Sequence, residues 1–119
     1  VVRLAPDRTD KMILETGQYI ANCFDNIIIY DKIDGISKKQ YKSKGLTPSR
    51  NVGDVSKILL NGILSARKKN GTERIIIEEY AIKKASEIAK SGDVVIVICG
   101  DNHKKTIGYI KKYFKASFI

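Results

Sequence analysis

The sequence has no tryptophan, one histidine, two cysteines and two prolines among its 119 residues. Two cysteines are too few for a disulfide framework, and no leader-like pattern opens the chain, which together favour a reducing, cytoplasmic compartment. No run of about 18 apolar residues is present, so we expect no membrane partner. With His103 as its one histidine, the chain cannot build a histidine-rich metal site. We therefore predict a single cytoplasmic domain over 1–119 with no metal ligands of its own.

Acidic residues are scarce relative to basic ones, which gives a net charge of +9. Such a charge can bind nucleic acid by releasing counterions from phosphates. However, 17 of the 22 basic residues are lysine, whereas bidentate phosphate recognition favours arginine. The basic residues are also spread along the chain, apart from a cluster between Lys32 and Lys44. The pattern favours a solvated basic surface, and a small nucleic-acid-binding α/β module using that cluster is kept as an alternative.

Four short β-branched runs are predicted to be strands, at 1–5, 26–30, 74–78 and 94–99. The last three have uninterrupted apolar centres, which is typical of parallel strands buried on both faces.

Apolar residues at helical spacing follow each run. They predict a helix capped by Thr9 or Asp10, a second over 52–66, a third over 81–89 that closes at Gly92, and a last one over 104–113 that buries Ile107. The alternation predicts an α/β fold with a Rossmann-like, mainly parallel sheet and helices on both faces. Residues 31–51, rich in Lys, Ser and Gly, are predicted to be a mobile loop.

Ligands of an open parallel sheet bind beyond the carboxyl ends of its strands. Charged or polar residues follow every predicted strand, and we expect them to converge on one edge. They are Asp7, Arg8 and Asp10 after the first strand, Asp31 and Asp34 after the second, Glu78 and Glu79 after the third, and Gly100 and His103 after the fourth.

Arg8 is the most specific of these residues, because its planar guanidinium can hold a carboxylate or phosphate bidentately at the start of a helix. It could instead pair with a neighbouring aspartate and order the loop, and Asp10 suits a helix-capping role. His103 is expected to be a surface or hydrogen-bonded side chain, and Cys99 a small core residue. Residues 100–106 lack the second glycine of a phosphate-binding loop.

Several short motifs occur in a fixed order. Ala5-Pro6-Asp7-Arg8-Thr9-Asp10 is followed by Phe24-Asp25-Asn26-Ile27-Ile28-Ile29, then by Asn51-Val52-Gly53-Asp54-Val55, and finally by Ser91-Gly92-Asp93-Val94-Val95. In this order they resemble the carboxyl-terminal domain of the Mur ligase superfamily, most closely that of cyanophycin synthetases.

The resemblance implies part of an ATP-dependent ligase, which activates a carboxylate as an acyl phosphate and joins it to an amino acid. In cyanophycin synthetases arginine is joined to the aspartate side chains of an acidic polymer. ATP and magnesium would be bound mainly by a central domain that is not among these residues. The remaining domains of the parent ligase would be partners, and this chain alone is not expected to be active. Self-association is left open.

Position by position, Arg8 matches the arginine that in the peptidoglycan tripeptide ligases of the superfamily faces the carboxylate of the incoming amino acid, and Asp7 and Asp10 match its neighbours. Gly100 and His103 resemble part of a G-K-G-H-E segment, although Lys104 replaces its glutamate.

Asp31 and Asp34 are available to a guanidinium or ammonium group of the substrate. The loop that contains them lacks the arginine of peptidoglycan-precursor ligases, which argues against a diaminopimelate substrate. A domain of such a ligase is kept as a second alternative. The family's domain opens with an earlier strand, so the resemblance implies a fragment that lacks it.

Overall fold

The computed structural model describes residues 1–5, 8–31, 51–66, 71–99 and 102–115. Within these ranges the elements are α1 (Asp10–Ile20), β1 (Ile27–Ile29), α2 (Asp54–Ala66), β2 (Thr72–Arg74), α3 (Glu78–Ile88) and α4 (His103–Phe114). The strands pair in parallel, with Ile27 opposite Thr72. The predicted α/β class with parallel pairing is confirmed. None of the helices described is long and apolar enough to cross a membrane.

The segment 1–5 lies beside β1 on the side away from β2. The Val2 N–H donates to the Ile28 carbonyl at 2.8 Å, and the Val2 carbonyl accepts from the Tyr30 N–H at 3.0 Å. On its other side, the Val1 nitrogen donates to the Ile96 carbonyl at 2.8 Å and the Val1 carbonyl accepts from the Ile98 N–H at 2.8 Å. This is the bonding pattern of parallel neighbours. From one side of the sheet to the other, β2 is therefore followed by β1, then by the segment 1–5 and then by the segment 96–98. Along the chain these are the third, second, first and fourth predicted strands.

Helices cover both faces of β1, as the sequence predicts. Ile27 and Ile29 belong to a hydrophobic cluster with residues of α1 and α2, whereas Ile28 and Tyr30 pack with Ala81 of α3 and its neighbours. All three isoleucines of β1 are at most 4% exposed. Burial on both faces explains why this run contains no polar residue.

The third strand begins earlier than predicted. β2 covers Thr72–Arg74, whereas Glu78, the last residue of the predicted strand, is the first residue of α3. Pairing does continue beyond β2, since the Ile75 N–H donates to the Ile29 carbonyl at 2.8 Å. β2 is the outermost strand on this side of the described sheet. An edge strand tolerates polar residues such as Thr72 and Glu73, whereas the prediction was based on the apolar run that follows them.

The prediction of a buried fourth strand at 94–99 is wrong. The segment has no regular strand structure, and Val94 is 87% exposed and Ile96 49% exposed. Cys99, expected in the core, is also exposed. The physical reason is position, because the segment lies at the outer end of the row, where among the described residues only Val1 pairs with it backbone to backbone.

The helices begin and end close to the predicted positions. The Thr9 hydroxyl caps α1 by accepting from the Met12 N–H at 3.2 Å, which confirms one of the two predicted caps. Gly92 has a positive φ of 90°, although it lies in the turn beyond the end of α3. Ile107 was expected to be buried by α4 but is 40% exposed, and Thr106 is the buried residue of this helix.

Helices α1 and α2 cross at a pair of glycines. A Cβ atom on Gly17 would lie 2.5 Å from the Leu59 carbonyl oxygen, and one on Gly62 would strike the Leu14 carbonyl. Both obstacles are backbone atoms, so a side chain could fit only if the helices moved apart.

We expect Gly62→Ala to lower the free energy of unfolding by about 1–3 kcal/mol, the usual cost of overpacking. The control is Gly108→Ala in α4, where a new Cβ would meet no heavy atom of the described chain within 4 Å. That variant should be as stable as the parent, or more stable by up to about 1 kcal/mol, because alanine favours a helix. Urea unfolding followed by circular dichroism measures both, and equal losses would contradict the close crossing.

Candidate functional site

Two residues of the predicted site lie at the starts of helices that follow neighbouring segments. Arg8 comes just before α1, and His103 is the first residue of α4. Since the segments 1–5 and 96–98 lie side by side in parallel, the chain leaves both at the same edge of the sheet. Both side chains are exposed. Arg8 and Asp10 each have an interaction partner within the structure, so ordering of the loop remains open as a role for them.

Three predicted site residues, Asp7, Asp34 and Gly100, lie outside the described residues. So do residues 32–50, which include the lysine cluster and most of the predicted loop. The described part of the site therefore comprises Arg8, Asp10, Asp31 and His103.

Asp31 follows the carboxyl end of β1 and is buried, whereas Arg8 is exposed. Asp31 is 6% exposed. Its carboxylate accepts from the Ser56 N–H at 3.1 Å and from the Ser56 hydroxyl at 2.8 Å. Ser56 lies in the first turn of α2, so Asp31 satisfies a free amide at the helix start and places a negative charge where the helix dipole favours it.

A buried polar cluster lies at the end of β1 and was not predicted as a site. The Tyr30 hydroxyl, in a residue 1% exposed, donates to the Ile98 carbonyl at 2.5 Å. The Thr106 hydroxyl donates to the Glu78 carboxylate at 2.7 Å. Burial, together with the nearby negative charge of Glu78, raises the pKa of Tyr30. Glu78 was predicted to lie at this edge. Thr106 was not predicted to be buried, because it follows two lysines and the apolar pattern of its helix indicated Ile107 instead.

A second contact joins the same two helices nearer the surface. The Tyr113 hydroxyl donates to the Glu79 carboxylate at 3.2 Å, and the Lys112 ammonium lies 3.7 Å from the other oxygen. The neighbouring tyrosine and then Glu79 raise the pKa of Lys112. Both acids that open α3 are therefore engaged by side chains of α4.

Metal chemistry has no support in the described part of the chain. No group of three or more His, Cys, Asp or Glu residues there could hold a metal ion.

Comparison of the chain with protein-family models, with curated proteins and with solved structures gave no match. A functional assignment must therefore be argued from the residues and their arrangement.

The contact between Asp31 and Ser56 can be tested by removing the hydroxyl. We expect Ser56→Ala to lower the free energy of unfolding by about 1–3 kcal/mol, since a buried carboxylate oxygen loses its donor. The control is Ser86→Ala, which removes an exposed hydroxyl that donates only within α3, to the Lys83 carbonyl. Chemical denaturation of both variants measures the difference, and similar small losses would show that Asp31 does not depend on Ser56.

The buried position of Tyr30 predicts a pH-dependent stability. Because its pKa is raised in the folded state, the phenol ionises in the unfolded chain first. Its contribution is complete below about pH 10 and declines above it by at most about 1.4 kcal/mol per pH unit. We expect Tyr30→Phe to cost about 0.5–1.5 kcal/mol at neutral pH.

The difference in stability between the parent chain and Tyr30→Phe should therefore shrink as the pH rises above about 10. Urea unfolding at several alkaline pH values measures it. Tyr19→Phe, at a residue 82% exposed, is the matched control. A difference for Tyr30→Phe that stays constant with pH would contradict the assignment.

Proposed function

We propose that this chain is the carboxyl-terminal domain of an ATP-dependent amide ligase of the Mur superfamily, most like that of a cyanophycin synthetase, and that it positions substrate and ATP. The ordered motifs around Arg8, Ile27 and Asp93 suggest the reaction. The parallel α/β arrangement supports the fold that the resemblance implies. In this proposal the chain forms one wall of the active-site cleft, and the other domains of the ligase complete it.

The order of the segments is the observation that carries the proposal. In space the third, second, first and fourth segments follow one another. The same order occurs among the first four strands of Rossmann-like sheets, in which the direction of winding reverses between the first and fourth strands, and this supports the proposal. Ligands of such sheets bind in the crevice at the carboxyl ends of those two strands. Arg8 and His103 follow these two segments.

Arg8 would bind an anionic group of the substrate. Its guanidinium presents parallel N–H donors that match a carboxylate or a phosphate, and the free amides at the start of α1 add to the attraction. The α-carboxylate of the incoming arginine and the phosphates of ATP are the anions that the proposed reaction offers. His103 would contribute a ring N–H at the opposite side of the crevice.

The acidic residues would suit a cationic amino acid. Asp7, Asp10 and Asp34 provide carboxylates for the guanidinium of arginine, whereas the interior position of Asp31 assigns it to holding α2 in place. ATP, when bound with magnesium mainly by the central domain, supplies the activation of the polymer's carboxylate. The loop after β1 lacks the arginine expected of a peptidoglycan-precursor ligase, so arginine is preferred as the substrate over diaminopimelate.

The test uses the full-length ligase with a short β-aspartyl-arginine primer, and follows ATP consumption as arginine is varied. We expect Arg8→Ala to weaken the apparent affinity for arginine or ATP roughly 10- to 100-fold, because a charge-assisted contact contributes about 1.5–3 kcal/mol. The control Lys11→Ala removes the same charge from the first turn of α1, where Lys11 is 83% exposed and pairs only loosely with Glu15. It should leave both affinities unchanged.

The outcomes separate the parts of the proposal. Unchanged affinities in Arg8→Ala would contradict the role of Arg8. Turnover with another amino acid but not with arginine would retain the ligase and overturn the cyanophycin assignment. No turnover with any amino acid would overturn the ligase, and salt-sensitive binding of nucleic acid would then favour the basic-module alternative.

A further inference from the structure

The first half of α4 has little apolar cover within the described chain. Among residues 102–108, Thr106 is the one that is buried, at 3% exposed, whereas His103 is exposed and Ile107 is 40% exposed. A Cβ atom on Gly108 would meet no described heavy atom within 4 Å. Because helices in proteins are stabilised mainly by packing of an apolar face, this half of α4 depends unusually strongly on the contacts of one buried residue.

The second half of α4 is anchored differently. Phe114 is partly buried and packs against the cluster that contains Ile28 and Ala81. The Tyr113 hydroxyl adds a hydrogen bond to the Glu79 carboxylate at 3.2 Å. Apolar burial therefore fixes the end of the helix, and the two halves can be perturbed separately.

The buried contact of the first half is a hydrogen bond to a carboxylate. The Thr106 hydroxyl donates to Glu78 at 2.7 Å, and the more distant Asn102 carbonyl oxygen lies 3.3 Å away. A bond to an ionised acceptor is stronger than one between neutral groups. The Thr106 N–H donates to the Asn102 carbonyl at 3.3 Å, and the Asn102 side chain caps the helix by accepting from the Lys105 N–H at 3.1 Å. Glu78 is thereby linked through Thr106 to the turn that contains His103.

Glu78 is itself well fixed. As the first residue of α3 it places its negative charge where the helix dipole favours one. It also lies close to Tyr30, because burial and then the charge of Glu78 raise the pKa of that phenol. Since the Tyr30 hydroxyl donates to the Ile98 carbonyl, the segment 96–98 and the start of α4 are both tied to this corner of the sheet by side-chain hydrogen bonds.

We propose that Glu78 is a positioning residue for the crevice, and that its bond to Thr106 fixes the first turn of α4 and with it His103. His103 lies three residues before Thr106, on the turn that this bond secures. Glu78 touches no substrate in this proposal and acts through the position of the helix. The part that concerns binding rests on the proposed function, whereas the part that concerns the first turn does not.

Hydrogen exchange of the 119-residue chain tests the first turn. Thr106→Val removes the hydroxyl and keeps the branched shape, and Tyr113→Phe is the matched control, because it removes the hydroxyl that reaches α3 from the other end of α4. We expect Thr106→Val to speed exchange of the Lys105 and Ile107 amides at least about tenfold, which corresponds to 1.4 kcal/mol. Each rate is taken relative to the amide of Ile27, which is bonded in the buried strand and reports global unfolding. Tyr113→Phe should leave this ratio unchanged.

Two further variants identify Glu78 as the group responsible. Thr106→Ser retains the hydroxyl and should restore slow exchange in the first turn. Glu78→Gln, which removes the charge of the acceptor, should speed exchange in the parent chain but add little in Thr106→Val, because contacting partners are not additive. Additive effects of Glu78→Gln and Thr106→Val would contradict the link between them.

The full-length ligase tests the role in binding. We expect Thr106→Val to weaken the apparent affinity for arginine or ATP about tenfold and to change kcat less, since misplacement of a positioned group by about 1 Å costs up to about 100-fold. Thr106→Ser and Tyr113→Phe should keep the affinities of the parent enzyme.

The outcomes distinguish this proposal from the proposed function. Unchanged exchange in Thr106→Val, or equal effects of Thr106→Val and Tyr113→Phe on the first turn, overturns the proposal whatever the ligase does. Faster exchange with unchanged affinities, when Arg8→Ala weakens them, overturns the role of Glu78 in binding and leaves the proposed function intact. No turnover by the parent enzyme overturns the proposed function and the binding role together, while the exchange comparison still decides whether Glu78 fixes the first turn.

Discussion

The burial of β1 on both faces is the constraint on which the rest of the structure depends. Its three isoleucines are at most 4% exposed, and each buried side chain of this size contributes about 1.5–3 kcal/mol. That stabilisation requires a helix layer on each side, which α1 and α2 provide on one face and α3 on the other. Polar groups are excluded along β1, so they collect where the strand ends.

Two consecutive residues at that end secure the two layers. Tyr30 and Asp31 follow β1, and side chains of neighbouring residues in an extended chain point to opposite faces. Tyr30 lies with α3 and reaches the Ile98 carbonyl, while Asp31 holds the first turn of α2 through Ser56. Tyr30 satisfies the Ile98 carbonyl, and Asp31 satisfies the amide and hydroxyl of Ser56, in place of the water that these groups lose on burial.

The sequence predicts best what depends on local pattern. The Thr9 cap located the start of α1, and the isoleucine run located β1. The apolar pattern predicted strands wrongly where burial depends on a segment's position in the sheet. β2 lies at an edge and contains the polar Glu73, whereas the segment 94–98 is apolar yet exposed. The hydrogen bonds that bury Asp31 could not be predicted either, since its partner Ser56 is 25 residues away along the chain and no sequence motif links the two residues.

The proposed crevice and the exposed side of the fourth segment belong to different parts of it. The crevice that the proposed function requires would lie beyond its carboxyl end, before His103 opens α4, whereas Val95 and Val97 lie along its side. An uninterrupted apolar run is typical of a strand covered on both faces, whereas Val94 and Ile96 of this segment are exposed in the described structure.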